Sequence, residues 1–350
     1  TVALERGFTF AGVKKRSKDD QAFNGSIIED TDDNDVVIEG DHQLVAGTAW
    51  LFSRPELHGR FDYLFVDEAG QVSLATVVAS GSCARNVVLI GDQMQLSQPV
   101  KGVHPGGSGV SVMDHLMAAD ATVPPDRGIF LDRTWRMHPA LCRFVSDTFY
   151  DSRLQSVDSA ARQKVIVSSD VDGAIAPFGL RFVAVSHQDN AQKSIEEAER
   201  LCAVYRDLIG LAWIDRDGVE KPIGVDDILV VSPYNMQVNL LRGVLPDGAC
   251  IGTVDKFQGQ EAAIVLVSMA ASNGERIPRG IEFLFSPNRL NVAISRARCL
   301  AVVFASPRLL ETACRSIEQL RLVNTMCRMT AASHAMRADV SHDDGPSTKE

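Results

Sequence analysis

The sequence predicts an α/β protein built on parallel sheets. Short runs of apolar, often β-branched residues recur along the chain without polar alternation, as in strands buried on both faces. Stretches with helical spacing separate them, which is the alternation of parallel-sheet architectures. The length, 350 residues, suggests two domains.

Taken in order, strands are expected over residues 44–48, 63–66, 87–90, 129–131, 182–185, 228–231, 251–254, 264–268 and 301–304. The sequence Ser194-Ile195-Glu196-Glu197 reads as a capping box. It opens a helix with Ile195, Ala198, Leu201, Cys202, Tyr205, Leu208 and Ile209 on one face. Residues 16–41 are polar and acid-rich and read as a surface excursion or a flexible segment. Residues 151–175 form a weakly patterned connector. The stretch from Thr330 to the end shows no apolar period, so a disordered tail is expected over 329–350.

Composition narrows the class. With 45% hydrophobic and 23% charged residues, the chain matches an ordinary globular protein. Net charge is −10, which argues against nucleic-acid binding by bulk charge but leaves room for a local basic groove. The longest mostly apolar run, residues 262–271, is too short for a membrane helix. Seven scattered cysteines form no CxxC pair and no zinc spacing, which fits reduced core thiols and a cytoplasmic setting.

Chemistry concentrates at strand ends. The run FDYLFVDEAGQ, residues 61–71, finishes in adjacent carboxylates, Asp67 and Glu68. Ligands of parallel sheets sit beyond the carboxyl ends of strands, so one acid suits Mg²⁺ and the other an attacking water. A lone pair of this kind equally fits a solvated strand end. This pair has company, however. NVVLIGDQMQLSQP ends a strand in Gly-Asp, followed by Gln95. LDRTWRMHPAL places Arg136 between a strand and a helix opened by Pro139. VDKFQGQEAAIVLVS and NRLNVAISRAR follow.

This ordered set resembles the superfamily 1 helicases, in the branch of the nonsense-mediated-decay RNA helicase and the nuclease–helicase that processes Okazaki fragments. The spellings FLFSPNRLNVAISRA and DKFQGQEA are similar to bacterial proteins that fuse a RecB-like nuclease to such a helicase. The resemblance covers roughly residues 43–328. It implies two RecA-like P-loop NTPase domains in tandem, the first incomplete (1–125) and the second spanning 126–328, with ATP and Mg²⁺ in the cleft between them. It also implies 5′-to-3′ movement on a single strand, DNA more than RNA with the choice between them open, and an upstream nuclease domain in the parent protein.

Roles follow by resemblance. Asp67 would hold Mg²⁺, Glu68 would activate water, and Gln95 would sense the γ-phosphate. Arg136 and Arg296 would be arginine fingers, and Trp135 would stack on adenine. Gly259 and Glu261 would couple nucleotide to nucleic acid, the Glu through the ribose. Thr48, in VAGTAW, and the loop Ser232, Pro233 and Tyr234 would contact the strand. Arg298 reads as a structural or solvent-facing partner of Arg296, and His138 as a helix-start residue. HPGGSG, residues 104–109, lacks the Lys of a phosphate loop and reads as a connection.

No GxxxxGK[ST] occurs in the 350 residues. That loop supplies backbone N–H groups, a lysine and a metal ligand to the phosphates. The chain is therefore expected to start after it and to be inactive as an ATPase alone. Two rival readings stay open: a nucleotide-dependent binding or recruitment module without unwinding, and a nuclease partner that positions DNA.

Overall fold

A computed structural model describes residues 2–17, 27–96, 105–118, 120–168, 171–275 and 277–342. Two compact units emerge. The first comprises Thr1–Gln93 and Ser97–Ala119, the second Met94–Leu96 and Asp120–Glu350.

The first unit begins with the short helix α1 (Val2–Glu5). Strands β1 (Gly12–Lys15), β2 (Ile28–Thr31) and β3 (Leu44–Ala46) pair in parallel in the order β2-β1-β3, with helix α2 (Asn34–Glu39) between β2 and β3. The acid-rich stretch is thus partly ordered. Asp33 caps α2 by accepting from the Asp35 N–H, and Val37 is fully buried beneath it. Residues 18–26 of that stretch lie outside the described residues. Helix α3 (Ala49–Phe52) follows β3. A second parallel pair joins β4 (Phe61–Val66) to β5 (Ala84–Leu89), with α4 (Leu74–Gly81) as the crossover, and α5 (Val112–Met117) comes last. Of the loop at 104–109, residues 105–109 are described. They form a tight turn in which the Ser108 hydroxyl donates to the Pro105 carbonyl.

The second unit is organised by one five-stranded, all-parallel sheet. Short strands β6 (Arg133–Thr134) and β7 (Gln155–Ser156) pair around helix α6 (Pro139–Phe149). Strand β8 (Lys164–Val165) precedes β9 (Gly179–Ala184) and helix α7 (Ile195–Leu208). The hairpin β10 (Ala212–Ile214) and β11 (Glu220–Pro222) pairs antiparallel with β8. Next come β12 (Ile228–Val231), α8 (Asn235–Val244), β13 (Cys250–Gly252), β14 (Ala262–Ser268), α9 (Ile281–Leu284), α10 (Pro287–Ser295), β15 (Ala297–Ala305) and α11 (Ile317–His342). The sheet order is β13-β12-β14-β15-β9.

The apolar runs do what two-sided burial requires. Along β15, Ala301, Val303 and Ala305 enter one core while Leu300, Val302 and Phe304 enter the other. Along β14, Val265 and Val267 alternate in the same way with Ile264 and Leu266. All seven cysteines are free thiols. Among the described residues no helix is long and apolar enough to cross a membrane.

Three expectations need correction. Residues 129–131 form no strand; Ile129 and Leu131 are 86% and 76% exposed, and pairing starts only at β6. The helix capped by Ser194 forms as expected, with Ser194 Oγ accepting from the Glu197 N–H, but Ile195 faces outward at 54% exposure. The expected disorder from 329 does not hold to His342, because α11 runs that far; residues 343–350 lie outside the described residues. Leu322, Val323, Met326, Met329 and Ser333 make its buried face. The Ser333 hydroxyl accepts the Phe182 N–H at 2.8 Å, satisfying a donor on the edge strand β9. Met326 and Met329 each add about 1.5–3 kcal/mol of burial.

Candidate nucleotide and nucleic-acid sites

The acid pair sits where a parallel sheet presents its ligands. Strand β4 ends at Val66, and Asp67 and Glu68 follow it, both exposed. The Asp67 carboxylate accepts the Glu68 N–H at 2.9 Å, and Gln71 Nε2 donates to the Glu68 carboxylate at 3.0 Å. Glu68 itself adopts a left-handed backbone, φ 52° and ψ 40°. Such conformations in a non-glycine residue cost about 1–3 kcal/mol and gather at functional sites.

The turns after β4 and β5 are clamped together. Ala69 N–H donates to the Ile90 carbonyl at 2.8 Å, and Ile90 N–H to the Val66 carbonyl at 2.9 Å. A Cβ on Gly70 would lie 2.6 Å from the Asp92 carbonyl oxygen, and one on Gly91 2.7 Å from the Ala69 nitrogen. Only glycine permits that approach. The clamp fixes where the acids stand. No group of three potential metal ligands exists among the described residues. A single carboxylate with waters and substrate phosphates is how Mg²⁺ is usually held.

The second unit gathers the guanidinium groups. Arg296 caps the carboxyl end of α10 and is 4% exposed. It donates to the Gln95 side-chain oxygen at 3.1 Å and to the Gln260 carbonyl at 3.4 Å. Gln95 is pinned nearby: its carbonyl accepts from Asn288 Nδ2 at 2.5 Å, and the Met94 carbonyl accepts from Asn291 Nδ2 at 2.8 Å. Arg136 pairs through Nε with the Glu261 carboxylate and donates to the Ser295 carbonyl at 3.1 Å. Arg298 binds the other Glu261 oxygen at 2.9 Å, so it partners Glu261 rather than Arg296. Glu261 is thus held by two arginines rather than presented alone. Burial works against its ionisation, but the hydrogen bond and charge of Arg136, then those of Arg298, outweigh it and hold its carboxyl below the usual glutamate range. Gly259 has φ +77° with open space around it, so its role is backbone conformation.

Trp135 is 63% exposed. The Arg216 guanidinium lies 5.7 Å from its ring centroid and donates to its carbonyl at 3.2 Å. His138 is the helix-start residue expected: its Nδ1 accepts from the Ala140 N–H at 3.1 Å, its ring stacks on Phe178, and burial pushes its pKa down to about 4.

The strand-contacting residues divide. Thr48 is exposed at the start of α3, and its hydroxyl makes no capping bond. Ser232 and Tyr234 are buried, 0% and 4% exposed, so their side chains do not face a ligand; only Pro233 is partly accessible. Burial pushes the Tyr234 phenol up to about 12, with the Arg279 charge acting the other way. Sequence reasoning missed Trp50, 86% exposed two residues after Thr48, which the large aromatic itself could have signalled. It also missed Gln163, whose amide donates to the Arg136 carbonyl at 2.6 Å. Nothing local marks Gln163 or Arg216, because their partners are distant in sequence.

The chain is similar to several known proteins. DNA polymerase alpha-associated DNA helicase A of Schizosaccharomyces pombe is 29% identical over 252 residues, 68% of this chain and 36% of that protein. RNA helicase Mov10l1 of Homo sapiens is 29% identical over 285 residues, 72% of this chain and 23% of that protein. The chain therefore spans about a third or less of the length of these relatives. A solved complex of Arterivirus nonstructural protein 10 (helicase) with DNA overlays 87% of this chain and half of its own, at 12% identity and a TM-score of 0.42. A family model described as AAA domain matches residues 108–308, more than half of the chain, and the chain belongs to that AAA domain family.

Proposed function

We propose that this chain is the motor portion of an ATP-dependent helicase or translocase acting on single-stranded nucleic acid, DNA more than RNA, in the cytoplasm. The two units are read as RecA-like domains, the first carrying the acids and the second the arginines. The observation that carries the proposal is the acid pair. Asp67 and Glu68 stand exposed at the carboxyl end of a parallel strand, on a strained turn that two glycines hold in place. Strain of this kind persists where the surroundings over-determine it.

Mg²⁺, when bound with the nucleotide, would neutralise phosphate charge. Asp67 would hold that ion, and Glu68 would orient and deprotonate the attacking water. Arg136 and Arg296 would stabilise the charge on the γ-phosphate, and Gln95 would register its presence. Trp135 would stack on the base. Thr48 and Pro233 would lie along the strand.

The test is ATP hydrolysis by the full-length protein with and without single-stranded DNA or RNA, alongside the 350-residue chain, which contains no GxxxxGK[ST]. Stimulated turnover by the full-length protein and none by the chain is expected. Absence of nucleic-acid stimulation in the full-length protein would sink the proposal, and robust turnover by the chain would refute the role given to the absent loop.

A further inference from the structure

A second cationic feature is made by two other arginines. The loop after β14 and the helix α9 carry Arg279 and Phe283, and α10 carries Arg289. The Arg279 guanidinium lies 3.9 Å from the Phe283 ring centroid, and the Arg289 guanidinium lies 4.6 Å from the same centroid. Tyr234 packs on this ring at 5.7 Å between centroids, which joins the feature to the Pro233 loop after β12. Strands β12 and β14 are neighbours, so both loops emerge from the same carboxyl edge of the sheet.

Two like charges against one ring need a reason. The quadrupole of an aromatic face attracts each of them. Asp255 neutralises one, accepting from Arg289 at 3.0 Å. Arg279 is exposed and has no carboxylate partner among the described residues. Its backbone is left-handed, φ +73°, followed by Gly280 at φ +81°. A long side chain is disfavoured there, and an exposed one adds no core packing to offset that. Planar guanidinium groups held on one ring suit the oxygens of a phosphodiester. The half-buried ring, joined through Tyr234 to the loop after β12, adds apolar character to the cations, a combination that suits a nucleotide on its backbone. With the chain at net charge −10, such affinity has to be local.

We propose that Arg279 and Arg289, mounted on Phe283 at the carboxyl edge of β12 and β14, form a phosphodiester-binding subsite for single-stranded nucleic acid. This subsite rests on the reading of the chain as a nucleic-acid motor and locates part of its strand-binding surface.

The experiment is a salt titration of binding to fluorescein-labelled oligothymidylate, read by anisotropy, with the full-length protein. Arg279→Asn is the main variant, because Asn tolerates the left-handed backbone and the site is exposed. Its melting temperature should match the parent. Affinity should fall several-fold, and the slope of log K against log salt should shrink by about 0.7, the share of one phosphate on a single strand. Phe283→Leu should weaken binding as well, because the cations lose their platform. Arg206→Asn, an exposed arginine on α7, should leave the slope unchanged. If the parent binds and Arg279→Asn keeps both affinity and slope, the subsite is wrong while the motor reading stands. An equal slope change in Arg206→Asn would overturn it too, by showing a bulk-charge effect. If the parent binds no oligonucleotide, the reading beneath it fails.

Discussion

Glu68→Asn separates strain from chemistry. Glu68 sits at φ 52° with both neighbouring turns fixed by backbone hydrogen bonds. A non-glycine residue there costs about 1–2 kcal/mol, and Asn is several-fold enriched in that region. The substitution removes the Gln71 hydrogen bond, which is exposed and contributes on the order of 0.5 kcal/mol. The balance is a gain of about 0–1 kcal/mol. For a unit of this size that raises the melting temperature by up to about 6 °C. Glu68→Gln keeps the strain and should melt like the parent. Both variants remove the carboxylate, so hydrolysis by the full-length protein should fall by about 10²–10⁴. Circular dichroism melts and a phosphate-release assay read the two effects. A lower melting temperature in Glu68→Asn, or hydrolysis within tenfold of the parent in either variant, would refute the assignment of the residue to catalysis rather than to folding.

Arg296→Lys, which keeps charge but loses the planar fork, should lower kcat by about 10²–10³ with little change in ADP affinity, measured by steady-state kinetics and calorimetry. Gly91→Ala places a Cβ 2.7 Å from the Ala69 nitrogen and should lower the first unit's melting temperature and its hydrolysis together, followed by dichroism and phosphate release. His138 has a folded pKa of about 4 against 6.5 for the free group, so the unfolded chain binds more protons between those values. Stability should therefore fall by up to about 3 kcal/mol as pH drops from 6.5 to 4, and His138→Asn, which keeps a helix cap, should flatten that slope in urea titrations. The Glu261 pKa is lowered in the fold, so its contribution is complete above the ordinary glutamate value and lost as pH falls through the folded one; Glu261→Gln should be the less acid-sensitive protein in the same titrations.

Much of the second unit was legible because two-sided burial leaves a plain trace. The strands at 228–231 and 264–268 were read nearly to their ends, since runs such as AIVLVS have no polar face to confuse the period. The stretch 129–131 was equally apolar in sequence and failed, because strands need partners and pairing is not a local property. Helix α11 was missed past Thr330 for the opposite reason. Its buried face there is Ala332 and Ser333, small residues whose contribution is close packing and one hydrogen bond to β9. The acids were legible because they end a strand. Burial of Ser232 and Tyr234 was not, since a loop sequence does not say which side chains fold beneath it.

The chain organisation around Gln95 bears on how a phosphate signal could travel. Residues 94–96 group with the second unit, although the residues on either side of them belong to the first. Helix α10 explains why. Asn288 and Asn291, one turn apart, hold the Gln95 and Met94 carbonyls, and Arg296 at the end of the same helix holds the Gln95 side chain. Asn291 is fully buried and is itself fixed by the Tyr150 hydroxyl at 2.7 Å. A single helix therefore positions the backbone of the candidate sensor and the guanidinium that accompanies it. The NRLNVAISRAR stretch then has two tasks that its sequence presents as one. Its arginine is the one proposed to meet the γ-phosphate, and its asparagines keep a three-residue segment from elsewhere in the chain in step with that arginine. A change at Gln95 would be transmitted to Arg296 through one 3.1 Å hydrogen bond, with no intervening element required.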